Sequence, residues 1–265
     1  MSSLTKRIAC GVEYFGFNYS GWQSQQQSGS VQDYIETAIS TVSNEPIRIF
    51  SSGRTDARVH AKCQVFHFNT KSNRTPSEWL YGVNSNLPDD INILWVKDVV
   101  QEFDARYSAV SRTYQYLIVN QKINDVFLIN RALWVPYNLD INLMQQAARH
   151  FQGEHDFTSF RSSSCQSKSP IRTISTLNIE QSKQRILIQC TANAFLQHMV
   201  RNIVGTLIDV GEGVFTPDSI SIILNSKDRT KSGKTVSSSG LYLVGIDYPG
   251  KFQLPHSEFK VRLEN

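Results

Sequence analysis

Pro46-Ile47-Arg48-Ile49-Phe50 and Cys63-Gln64-Val65-Phe66-His67-Phe68 flank the polar stretch Ser51-Ser52-Gly53-Arg54-Thr55-Asp56-Ala57-Arg58-Val59-His60-Ala61. Both flanks read as strands. The eleven residues of that stretch are long for a hairpin connection, where about two to five are usual. The stretch has no helical periodicity, and a polar loop on a rigid scaffold is a common place for catalytic groups. Asp56 is its only carboxylate and lies between Arg54 and Arg58. Two neighbouring cations favour the ionised form, which suits a nucleophile or an electrostatic stabiliser better than a general acid. A plain alternative is an aspartate in a turn, bonded to its own backbone and paired with an arginine.

On the N-terminal side, Arg7 to Tyr14 alternates in strand fashion, with Ile8, Cys10, Val12 and Tyr14 on one face. A loop rich in glycine and aromatics follows, Phe15-Gly16-Phe17-Asn18-Tyr19-Ser20-Gly21-Trp22-Gln23, and then a polar tract, Gln25-Gln26-Gln27-Ser28-Gly29. Ser30 reads as an N-cap, with Val31, Tyr34, Ile35, Ala38, Ile39 and Val42 at helical spacing behind it. Beyond the polar stretch, Thr75-Pro76-Ser77-Glu78 is a helix start: cap, proline at the first position, glutamate at the third. Ile91 to Val96 is another strand. The order is β-α-β-β-α-β, the split βαβ pattern of ferredoxin-like domains.

The second half repeats that order. Arg112 to Val119 reads as a strand; Asp140 caps a helix whose apolar positions are Leu143, Met144, Ala147, Ala148 and Phe151, stopped at Gly153. Thr173 to Glu180 and Arg185 to Cys190 read as paired strands, a helix runs from about Gln197 to Asp209, and Leu241 to Asp247 is the last strand. An insertion around Trp134 and a helix starting at Thr216-Pro217 are additions. The expectation is an α+β protein of two ferredoxin-like half-domains, residues 1–103 and 104–265, whose antiparallel sheets join side by side around a central cleft.

Composition narrows the function. The chain has 265 residues, 40% of them hydrophobic, enough for one large domain or two ordinary ones. It has no apolar run of about 18 residues, and Met-Ser-Ser-Leu-Thr-Lys-Arg at the start lacks a signal core, so the default expectation is the cytoplasm. Cys10, Cys63, Cys165 and Cys190 are scattered, and the six histidines form no ligand pattern. This argues against zinc and disulfides, and three of the cysteines fall in strand-like runs as small buried residues. The net charge of +4 permits a nucleic-acid partner. An acid-free segment holds Arg161, Lys168 and Arg172, and a second basic group comprises Lys227, Arg229, Lys231 and Lys234. Ser232-Gly233-Lys234-Thr235 ends like a phosphate-binding loop, but Asp228 stands where the first glycine belongs and no strand precedes it.

Four further stretches stand out: Phe103-Asp104-Ala105-Arg106-Tyr107-Ser108-Ala109 leading to Arg112-Thr113-Tyr114-Gln115-Tyr116; Asp156-Phe157-Thr158-Ser159-Phe160-Arg161 leading to Cys165-Gln166-Ser167-Lys168-Ser169-Pro170-Ile171-Arg172; Ala192 to Asn202; and Gly240-Leu241-Tyr242-Leu243. With Gly53-Arg54-Thr55-Asp56-Ala57, these resemble the TruA family of tRNA pseudouridine synthases, in the family's order and spacing from about Ile8 to Pro249. The resemblance implies two related α/β halves with a catalytic cleft between them and a homodimer. It further implies conversion of uridine to pseudouridine at positions 38, 39 and 40 of the tRNA anticodon stem-loop, without cofactor or metal. Asp56 matches the catalytic aspartate, Tyr114 the active-site tyrosine, and Arg201 the arginine that pairs with the aspartate. Arg58 departs from the family, which usually has glycine there, a residue that permits a positive φ or close backbone approach.

Arg54, Arg58, Arg161, Lys168 and Arg172 are the expected RNA contacts. Two rival readings stand beside this one. A non-catalytic RNA-binding module would use an open sheet with surface aromatics, but an RNP1-type run is absent. A glycosidase would need a second carboxylate, and Asp104 and Asp156 lie in other segments.

Overall fold

The computed structural model describes residues 5–25, 29–255 and 261. Residues 1–4 of the N-terminal stretch and 26–28 of the polar tract lie outside them. The chain divides into two compact units, with breaks between Val110 and Ser111 and again between Tyr242 and Leu243.

The first unit follows the β-α-β-β-α-β order: β1 (Lys6–Tyr14), α1 (Val31–Ser43), β2 (Phe50–Ser51), β3 (His60–Thr70), α2 (Pro76–Asn84) and β4 (Ile91–Val99). β1 lies between β3 and β4, antiparallel to both, and β2 pairs with β3. Both helices begin in capping boxes. The Ser30 hydroxyl accepts from Asp33 N–H while the Asp33 carboxylate accepts from Ser30 N–H, and Thr75 and Glu78 do the same ahead of Pro76. Each such box satisfies orphan amides that water would otherwise have to serve.

The predicted strand at Pro46 to Phe50 shrinks to Phe50–Ser51. Its amides are taken by side chains of α1: Ile47 N–H donates to Ser40 Oγ at 3.0 Å and Ile49 N–H to Glu36 Oε1 at 3.0 Å. β3 starts earlier than predicted because Tyr14 pairs with Ala61, so the polar loop proper is 52–59.

One face of this sheet carries Ile8, Cys10, Val12 and Tyr14, all buried. The other face is covered too. Ala9, Cys63 and Val65 pack with Phe103, Ala105 and Phe252, and Trp95, Val99, Ile246, Tyr248 and Leu254 join them. Tyr248 donates to the Ala105 carbonyl at 2.6 Å, tying residues from the far end of the chain onto this face. Around Ala9, Cys63 and Val65 this second face is therefore covered rather than open.

The second unit contains β5 (Ser111–Asn120), β6 (Leu133–Val135), α3 (Ile141–Arg149), β7 (Gly153–Asp156), β8 (Ile171–Ser182), β9 (Arg185–Ala192), α4 (Met199–Gly211) and α5 (Ser219–Ser226). Strand order is β5-β9-β8-β7, antiparallel throughout, with β6 parallel on the outer part of β5. Asp140 caps α3 by accepting from Leu143 N–H at 3.1 Å. α4 is buried over nearly its whole length and starts two residues later than predicted, behind His198, whose φ of 64° is left-handed. β10 (Leu241–Asp247) has the predicted bounds, and from Leu243 on it belongs to the first unit. Both units are mixed α+β, as the periodicities indicate.

Candidate active site

The Asp56 loop is held by backbone contacts with the glycine- and aromatic-rich loop that follows β1. Trp22 N–H donates to the Thr55 carbonyl at 3.1 Å and Arg58 N–H to the Tyr19 carbonyl at 3.3 Å. Two glycines make the approach possible. A Cβ on Gly16 would lie 1.9 Å from the Val59 carbonyl oxygen, and one on Gly21, whose φ is +105°, 2.8 Å from that of Thr55 and 3.2 Å from Asp56 C. Neither gap admits a side chain without moving backbone. Thr55 is further fixed from below by a 2.8 Å hydrogen bond between its hydroxyl and that of Tyr14. On the other flank the Ser52 hydroxyl bonds Gln64, whose amide donates to the Gly53 carbonyl at 2.9 Å. Asp56 is thus carried at the centre of a loop pinned on both sides, itself half-buried, with Val59 N–H closing the turn onto its carbonyl at 3.2 Å.

Arg58 adopts a φ of 66°, the left-handed conformation that glycine at this position would reach without strain. For an L-residue this costs about 1–2 kcal/mol. Its guanidinium lies over the Phe17 ring, 5.0 Å from the centroid. An exposed contact of this kind returns only about 0.5–1 kcal/mol. Phe15 stacks on His60 at 4.6 Å, and the His60 Nδ1 accepts from Gly16 N–H at 3.0 Å.

In the second unit Tyr114 sits half-buried on β5, paired with Cys190 of β9, and the Phe195 ring meets it edge-on at 5.1 Å. Tyr116, on the same strand face, is fully buried and donates to the Ser237 carbonyl at 2.6 Å. Burial pushes its hydroxyl pKa up, and the nearby positive charge of Arg201 works in the opposite direction. Arg201 lies in the first turn of α4, and its Nε donates to the Val236 carbonyl at 2.8 Å, which fixes the guanidinium plane.

The segment supplying that carbonyl is itself braced. Arg229 donates to Ser232, to the Gly233 carbonyl, to Thr235 and to Asn202 Oδ1, and Gly233 N–H donates to Thr206 Oγ1. Ser232-Gly233-Lys234-Thr235 is therefore an extended strap along α4 that holds Arg201, with no strand before it. Sequence reasoning set this stretch aside as a failed phosphate loop and did not find its positioning role. The basic composition around Arg229 was the visible signal.

Of the remaining basic residues, Arg54 and Lys168 are exposed and Arg161 is half-buried. Arg172 spends its guanidinium on its own loop, donating to the carbonyls of Ser169 and Ile171 and to Ser167 Oγ; burial lowers its pKa. It braces the loop that presents Lys168.

Asp104 and Asp156, the partner carboxylates a glycosidase would need, serve turns. Asp104 accepts from the amides of Arg106 and Tyr107 at 2.8 and 2.9 Å. Asp156 accepts from Thr158 N–H at 2.9 Å and meets Lys227 at 3.3 Å. Cys10, Cys63 and Cys190 are buried, and burial raises the thiol pKa of Cys10 and Cys190. No group of three or more potential metal ligands occurs among the described residues, and no helix there is long and apolar enough to cross a membrane.

The first unit thus carries a pinned polar loop with a single carboxylate, and the second a helix-borne arginine whose Nε is fixed on the Val236 carbonyl. The family model described as tRNA pseudouridine synthase matches residues 11–108 and 147–249, which places the chain among enzymes that isomerise uridine to pseudouridine in tRNA. The chain is 48% identical over 249 residues to tRNA pseudouridine synthase A of Shewanella sediminis, covering 94% of this chain and 95% of that one. It is 46% identical, with the same coverage, to tRNA pseudouridine synthase A of Coxiella burnetii. A solved structure titled as a Cbf5-Nop10-Gar1 complex aligns over 94% of this chain and 50% of that one, at 12% identity and a TM-score of 0.38. The chain belongs to the tRNA pseudouridine synthase A (TruA) family of tRNA-modifying isomerases.

Proposed function

We propose that this chain forms pseudouridine at positions 38, 39 and 40 of the tRNA anticodon stem-loop, with Asp56, Tyr114 and Arg201 acting on the target nucleotide. The observation that carries the reading is the Asp56 loop: one carboxylate, with its backbone clamped through Gly16 and Gly21. In the reaction the C1′–N1 bond breaks, the uracil turns, C1′–C5 forms, N1 gains a proton and C5 loses one. Asp56 either attacks the nucleotide covalently or takes a sugar proton to start an elimination. The target must first leave its stack. Tyr114 then supports the flipped base, a contact of about 1–3 kcal/mol, and its hydroxyl serves the C5 proton. Arg201, whose Nε donates to the Val236 carbonyl, pairs with the aspartate.

Arg54, Arg58, Arg161 and Lys168 meet the tRNA, and Arg172 acts there through the loop it braces. The working form is a homodimer in the cytoplasm, with neither cofactor nor metal. The dimer is supported by the insertion 121–137, where Ile123, Val126, Phe127 and Ile129 are all exposed. A dimer also doubles the modest +4 charge that faces the polyanion. An active monomer in sedimentation at working concentration would contradict it.

The test is tritium release from C5-labelled uridine in tRNA, followed by mapping of the product. Release with pseudouridine at 38–40 supports the reading. Binding without release would make the chain an RNA-binding module, and free uracil would make it a glycosidase.

A further inference from the structure

We propose that Arg58 and Phe17 together form a stacking platform for an unpaired RNA nucleotide beside Asp56. This inference rests on the tRNA reading above and goes beyond a simple phosphate contact. Arg58 holds a left-handed φ of 66° that glycine would hold freely, and the strain exceeds what an exposed cation–π contact returns to the fold. With the greater unfolded-state entropy of glycine also counted, arginine and glycine leave the free protein about equally stable, so what the arginine adds is an exposed cationic face rather than stability.

The geometry is suited to a base. The side chain is exposed, its guanidinium is 5.0 Å from the Phe17 ring centroid, and no carboxylate among the described residues forms an ion pair with it. Phe17 is half-buried and 6.3 Å from Phe15, which stacks in turn on His60, so the platform stands on an ordered aromatic row. The Arg58 amide is tied to the Tyr19 carbonyl, which fixes the direction in which the side chain leaves the loop two residues after Asp56. A planar guanidinium backed by an aromatic ring offers a base a flat cationic face, and a lysine ammonium does not.

The test is steady-state kinetics on unmodified tRNA for wild type, Arg58→Gly, Arg58→Lys and Phe17→Leu, with melting temperatures. Arg58→Gly and Phe17→Leu should raise KM about tenfold and leave kcat within about twofold, since stacking contributes to binding. Arg58→Gly should melt within a few degrees of wild type, because the relieved strain is offset by the lost contact with Phe17 and by the unfolded-state entropy of glycine. Arg58→Lys should fail to restore KM. An unchanged KM for Arg58→Gly overturns the platform, and so does a wild-type KM for Arg58→Lys, which would mean a phosphate contact only. Wild type run in the same assay separates the two levels. If it releases no tritium, the tRNA reading fails; if it does and the variants match it, only the platform fails.

Discussion

Gly21 and Thr55 touch backbone to backbone: a Cβ on Gly21 would come within 2.8 Å of the Thr55 carbonyl oxygen. That contact joins the loop after β1 to the loop carrying Asp56, at a Gly21 whose φ is positive.

Gly21→Ala should therefore hurt both fold and turnover. A left-handed φ with a Cβ, added to a backbone clash, costs about 1–3 kcal/mol. At about 2–4 °C per kcal/mol for a chain of this size, the melting temperature should drop measurably in a circular dichroism scan. Turnover should fall further than the loss of folded protein explains, because Asp56 shifts with Thr55.

Arg201→Ala should do the reverse. The fold loses, among the Arg201 contacts, the hydrogen bond to the Val236 carbonyl; a neutral hydrogen bond is worth about 1 kcal/mol net, so melting should fall by only a few degrees. Product formation should fall by about 100-fold or more if the guanidinium serves the reacting carboxylate. Equal losses in melting and turnover would reduce Arg201 to a structural residue.

His67 makes stability depend on pH. Burial lowers its pKa to about 4, with Asp104 opposing and Arg7 adding to the shift, and its Nδ1 accepts from Ala105 N–H at 3.1 Å. In the unfolded chain the same side chain titrates at about 6.5. Stability present above that value is lost as pH falls toward 4, because only the unfolded state takes up the proton in that window. Wild type should lose more melting temperature between pH 7 and pH 5 than His67→Gln, which keeps an acceptor for Ala105 and does not titrate.

Lys168→Ala tests the basic loop. The side chain is exposed, so melting should not change. Loss of one phosphate contact should lower the salt slope of tRNA binding by about one unit and weaken all tRNA substrates alike. Unchanged affinity and slope would leave Lys168 as a merely solvated side chain.

Much of this was legible in local chemistry. Ser30, Thr75-Pro76-Glu78 and Asp140 announced three helices through their caps, and the last strand, Leu241 to Asp247, has the bounds read from the sequence. Pro46 to Phe50 misled because β-branched composition says nothing of where the amides go, and two of them went to Ser40 and Glu36 of α1. The second covered face of the first unit rests on Phe103 and Phe252, far from β1 in sequence, so no local pattern shows it. At the site, Asp56 was visible as the lone carboxylate of its stretch. The clamp of Gly16 and Gly21, the Arg58–Phe17 contact and the strap that holds Arg201 are tertiary relationships. Each joins residues well separated in sequence, so no local pattern shows the contact.

The most direct test of the central claim is Asp56→Asn assayed for pseudouridine formation and tRNA binding together. Asparagine keeps the size of the side chain and removes both the nucleophile and the base. The account predicts no detectable tritium release from C5-labelled tRNA, with tRNA affinity and melting temperature close to wild type. Turnover near the wild-type level would contradict it and remove Asp56 from the chemistry.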